Sequence, residues 1–159
     1  MKMPRAILAA VCATMVLFAA GAQAQLADKK VMTLAAANAI AGAAAAEARK
    51  NNWNVVIAIV DDGGHLVYLE RMDGVQTGSI DVAIGKAKTA AAFKRPTKVF
   101  DDLAKSRPSI VSIGADAVLL EGGVPVMVDG QLVGAVGVSG VTSQQDAQIA
   151  EAGIAALKR

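Results

Sequence analysis

Two short glycine-bearing turns, each set between apolar runs, constrain this chain more than any other feature. The first, Asp61-Asp62-Gly63-Gly64, follows the continuous apolar run of residues 55–60. Glycine takes positive φ without steric cost, so the segment reads as a hairpin turn. The run before it is short and rich in β-branched residues, which predicts a strand covered on both faces. The return strand, residues 65–72, sorts by alternation: His65, Val67, Leu69 and Arg71 share one face, and Leu66, Tyr68, Glu70 and Met72 the other. The second turn, Asp129-Gly130, joins residues 124–128 to residues 131–139 in the strongest hairpin signal of the chain. Gly134 and Gly137 on its return strand mark close approach by another backbone or a ligand.

Helical signals fill the remaining segments. Thr33 caps an alanine-rich stretch that stops at Asn51-Asn52. Ser79 is expected to cap a second helix over residues 80–94, with Asp81 in its first turn and Pro96 ending it. Thr97 opens a short third helix through Lys105, and Pro108 breaks the chain again. Residues 109–121 are expected to be irregular or weakly β. Thr142 and Gln145 form a capping-box pattern that opens a last helix to Leu157. The order helix, hairpin, helices, hairpin, helix predicts an α+β fold. We expect a single compact domain with a central antiparallel sheet built from two β-hairpins and flanking helices.

The amino terminus reads differently. Lys2 and Arg5 precede an apolar stretch, and Ala22-Gln23-Ala24 supplies a small-x-small cleavage site, so residues 1–24 are expected to be an export signal and 25–159 the folded domain. The apolar stretch falls short of the roughly 20 residues a membrane span needs. A bacterial periplasmic or secreted location follows, with no stable membrane insertion after cleavage. Cys12, the one cysteine, leaves with the signal, which excludes a disulfide framework or thiolate site. Removing Lys2 and Arg5 balances the 16 Lys+Arg against the 14 Asp+Glu, and no basic cluster remains to attract nucleic acid.

Residues 59–66 and 71–74 (Ile-Val-Asp-Asp-Gly-Gly-His-Leu, then Arg-Met-Asp-Gly) resemble the signature of the GlcG/HbpS family. Ser79, Lys86-Ala87, Thr89-Ala90-Ala91 and Phe93 resemble its helix pattern. Gly122-Gly123-Val124-Pro125, the run from Val133 to Gly140, and Gln145-Asp146 resemble its closing half. The likeness runs from about Met32 to the carboxyl terminus. It implies a compact antiparallel domain, commonly assembled into homo-oligomers, with haem or a related tetrapyrrole as ligand. It does not fix one activity, because family members also accompany glycolate utilisation and corrinoid modification.

With cysteine gone, the side chains able to ligate haem iron are His65, Met72, Tyr68, Met32 and Met127. His65, the one histidine, is the candidate metal ligand, and its bland alternative is a hydrogen bond to the adjacent turn. Arg71, Lys86 and Lys88 are the nearest cations for propionates, Arg71 alternatively pairing with Asp73 or Glu70. Lys86, Thr89 and Phe93 fall on one helical stripe and could offer a planar acid a cation, a hydroxyl and a ring. The same stripe could equally be packing. The candidate cofactor site is therefore His65, Arg71, Lys86, Thr89 and Phe93, with Gly122-Gly123 and Ser139-Gly140 as cleft walls. No P-loop, GxSxG elbow or zinc-ligand pattern accompanies them. The sequence reads first as an exported, non-catalytic haem-binding homo-oligomer for storage, buffering or sensing. The other readings are an enzyme or accessory acting on a small organic acid or corrinoid, and an oligomeric interaction module without a ligand.

Overall fold

The computed structural model describes residues 26–157, so the expected signal lies outside the described residues. The elements follow in the predicted order: α1 (Leu34–Lys50), β1 (Val56–Asp61), β2 (Leu66–Arg71), α2 (Ser79–Phe93), α3 (Lys98–Ser106), a 3₁₀ turn (Pro108–Ser112), β3 (Gly123–Val128), β4 (Gln131–Ser139) and α4 (Ser143–Ala155). The strands form one antiparallel sheet in the order β2-β1-β4-β3. The two hairpins are joined through β1 and β4. The segment expected to be irregular contains the 3₁₀ turn and no strand.

Both sheet faces are covered, as the apolar run of β1 requires. Its alternate residues Ile57 and Ile59 enter a cluster with Ile40, Ala44, Val136, Val138 and Ile149 beneath α1 and α4. Val56, Ala58 and Val60 face α2, against Ala83, Ala87, Ala90 and Ala91. Each fully buried Ile or Val contributes on the order of 1.5–3 kcal/mol. The α2 layer is held unusually close by small residues. A Cβ on Gly137 would lie 2.0 Å from the Ala83 carbonyl oxygen. Gly137 therefore marks close approach by a helix backbone rather than by a ligand.

The caps divide into two kinds. Thr33 accepts from the Ala36 amide, and Thr142 and Gln145 complete their capping box. Ser79 departs from expectation: α2 begins on it behind Gly78, with no side-chain cap. Its hydroxyl is buried and accepts from the Ser139 hydroxyl at 3.2 Å. Thr97 likewise turns inward, accepting from the Gly123 amide at 2.8 Å instead of capping α3. Each of these hydroxyls joins a helix start to the sheet.

One register shift reshapes the first hairpin. Ile59 pairs with Tyr68, but Val60 pairs with Leu66, leaving Val67 as the extra residue of a bulge. Val67 consequently packs with Tyr68 and Met72 toward α1 and α4, while Leu69 faces Val56 and Ala58 on the α2 side. The simple alternation predicted for this strand fails at that point. Beyond it, Leu66 pairs opposite Val60 on the α2 side, and the hairpin tip follows toward α2.

Candidate functional site

The tip of the first hairpin and the outer face of α2 enclose a cleft of about 280 Å³ lined by Gly63, Gly64, His65, Lys88 and Ala92. A second, of about 310 Å³, is lined by Lys88, Thr89, Ala92, Phe93 and the loop Gly114-Ala115-Asp116-Ala117. Lys88 and Ala92 belong to both, so the two form an open trough along α2. Jointly they reach the usual range of small-molecule sites, about 300–1,000 Å³.

His65 sits at one end with its side chain 82% exposed. Its Nδ1 lies 3.4 Å from Asp61 Oδ1, and that same oxygen accepts from the amides of His65 at 2.8 Å and Gly63 at 2.9 Å. The backbone bond from His65, followed by that from Gly63 and the charge of the ring, holds the Asp61 carboxyl below the usual carboxylate range. Asp61 thus builds the turn and stands beside the Nδ1 edge of the ring. Asp62 pairs with Lys29 instead.

Thr89 lines the trough, but its hydroxyl is engaged within the protein. It donates to the Gly85 carbonyl at 2.8 Å and accepts from the Val118 amide at 2.9 Å, pinning the loop that forms the far wall. Phe93 is half-buried and stands against Phe100, with ring centroids 5.1 Å apart and planes tilted by 60°. It supplies an aromatic edge beside Gly114–Ala117.

Two predicted residues stand elsewhere. Lys86 is 2% exposed and donates to Asp146 at 2.8 Å and to the Val138 carbonyl at 2.9 Å. It is an internal strut, because α2 turns this position toward the sheet while position 88 faces outward. Burial pushes the Asp146 carboxyl up despite that partner. Arg71 lies at the opposite end of β2 from His65, roughly 20 Å away at strand rise. It donates to the Val75 carbonyl at 3.4 Å, and Glu70 pairs with Arg49 rather than with it. The cation of the trough is therefore Lys88.

The other expected walls and ligands also resolve. Gly122 and Gly123 are packed against Lys86, where a Cβ on either would meet it at 2.8 Å or less, and Ser139 is buried with Ser79. Neither pair lines the trough. Met32 is buried, and Met72 packs in the core. Tyr68 donates to Glu70 at 3.3 Å, and burial raises its phenol. Met127 is exposed on β3, beyond the sheet from His65.

The donor set suits a metal that arrives with most of its ligands. Among the described residues no three His, Cys, Asp or Glu side chains converge on one point, so a bare ion finds no cage. Haem iron needs only axial donors from the protein, and one exposed imidazole beside an ammonium and small apolar walls fits that need.

Small α+β domains with a helix laid on a glycine-bearing antiparallel sheet form a known structural class. This chain belongs to its HbpS-like family: the family model for "Haem degrading protein HbpS-like" matches residues 32–155. The chain is 45% identical over 111 residues to Protein GlcG of Escherichia coli K12, covering 70% of this chain and 83% of that one. A crystal structure of a Streptomyces reticuli HbpS double mutant superposes with a TM-score of 0.79 at 33% identity, covering 88% of this chain and 96% of its own. A PduOC:haem complex superposes at 0.75 with 28% identity, covering 81% and 96%.

Proposed function

We propose that this protein binds haem in the trough along α2. The observation that carries the reading is the exposed His65 imidazole, backed by Asp61, facing Lys88 across a cleft of small residues. The family match and the haem complex of a structural relative support the same ligand class. His65 would hold the haem iron through a ring nitrogen and Lys88 would pair with a propionate. Ala92 and Phe93 would contact the macrocycle, with Thr89 holding the loop behind them. Bound haem would bring iron redox and ligand-exchange chemistry, and the chain's own residues orient it and limit its exposure.

The trough is open to solvent, and a macrocycle seated there would leave much of one face bare. A second copy of the chain could close it, which favours a homo-oligomer. Export after removal of residues 1–24 would place this binder outside the cytoplasm, in a storage, buffering or sensing role. No described helix is long and apolar enough to cross a membrane. Titration of haem into residues 25–159, followed in the Soret band beside mass measurement by light scattering, tests both points. Saturable binding to an assembled protein is the expected result. An assembled protein that leaves the haem spectrum unchanged would overturn the ligand assignment.

A further inference from the structure

We propose that Asp61 is the positioning residue for His65, holding the imidazole with its proton on Nδ1 so that Nε2 remains an open lone pair. The inference rests on the haem reading for its use, but its geometry stands apart from it. Asp61 Oδ1 is anchored by the amides of Gly63 and His65, so it cannot swing away without dismantling the turn. The ring nitrogen comes to 3.4 Å from this fixed oxygen, long for a hydrogen bond and short enough for a charge to orient the ring.

Gly63 completes the seat. A Cβ there would lie 2.9 Å from His65 Nδ1 and 3.0 Å from its Cε1, so only glycine lets the ring lie against the turn. The other carboxylate of the turn, Asp62, pairs with Lys29. Lys88, across the cleft, can only donate. Asp61 thus sets a fixed carboxylate at the Nδ1 edge of the ring, which favours the tautomer with its proton there and leaves Nε2 free to ligate a metal. Carboxylate partners of ligating histidines act this way, and losing one typically costs about 10–100-fold in affinity.

Nitrogen-15 NMR of the ligand-free protein, at a pH where the imidazole is neutral, reads the tautomer directly. The wild type should show the Nδ1–H form. Asp61→Ala should shift the population toward Nε2–H, and Asp61→Asn, which keeps an acceptor for both amides, should restore Nδ1–H in large part. Backbone amide spectra report whether each variant keeps the turn; if the Ala variant does not, the wild-type tautomer decides the proposal by itself. Haem affinity should fall on the order of 10-fold in Asp61→Ala with partial recovery in Asp61→Asn. A wild type dominated by Nε2–H, or the same tautomer in both variants as in the wild type, would overturn the proposal. If His65→Ala binds haem with the wild-type spectrum, the assignment of His65 as iron ligand fails while the tautomer result still decides the role of Asp61.

Discussion

Lys86 and Asp146 meet 2.8 Å apart with side chains 2% and 3% exposed, joining α2 to the first turn of α4 past the end of the sheet. Lys86 also donates to the Val138 carbonyl, and Asp146 Oδ1 accepts from the Val141 amide at 3.3 Å. The pair therefore fastens the helix that carries the trough to the layer on the opposite sheet face.

Breaking this pair one side at a time should leave a buried charge without its partner. Lys86→Met or Asp146→Leu alone should lose about 3–5 kcal/mol of stability. The double variant Lys86→Met/Asp146→Leu should recover most of that loss. Urea unfolding of the three variants measures the coupling, and additive losses would refute it.

The same pair has a pH signature. Burial raises the Asp146 pKa above its ordinary 3.8. Between 3.8 and that raised value, the folded protein holds a proton that the unfolded chain has released. The contribution of Asp146 to stability therefore declines as pH rises through this window and is constant above it. The stability of the double variant relative to wild type should accordingly increase as the pH rises from 3.8 through that raised value. Unfolding curves at several pH values check the sign.

Two glycines should respond to alanine in opposite directions. At Gly137 the added methyl would stand 2.0 Å from the Ala83 carbonyl, so Gly137→Ala should cost about 3 kcal/mol or more. At Gly42, inside α1, nothing lies within 4 Å of the new Cβ, and Gly42→Ala should gain about 0.4–1 kcal/mol. Thermal melts of the two variants distinguish packing from helix propensity.

Charge reversal separates the two surface cations. Lys88→Glu should weaken haem binding by about 10-fold, one lost ion pair partly screened by solvent. Arg71→Glu, at the other end of β2, should change a monomeric site by less than about 2-fold. A large effect of Arg71 in the assembled protein would show that a neighbouring copy presents it to the trough.

Much of this architecture was legible because local chemistry and tertiary packing agree. The Asp-Gly turn at 129–130, the β-branched run of β1 and the Thr142–Gln145 box each specify their element without help from the rest of the chain. Of the candidate site residues, His65, Thr89 and Phe93 lie around one trough. Lys86 and Lys88 sit two residues apart on α2, and only helix rotation against Gly123 and Gly137 decides which one is buried. Sequence alternation also could not show the bulge at Val67, which arises from pairing with β1 and turns the hairpin tip toward α2. The loop Gly114–Ala117 carries no motif, and its place in the wall follows from the Thr89 hydroxyl that holds Val118. Lys88 was already one of the three candidate cations, and its exposure on α2 is what separates it from Lys86.

We propose that His65 holds haem iron beside α2. Haem titration of wild type and His65→Ala, read in the Soret band, tests it most directly. Saturable binding with a shifted band is expected in the wild type, and loss of that shift in a variant that remains folded. An identical band and affinity in His65→Ala would contradict it.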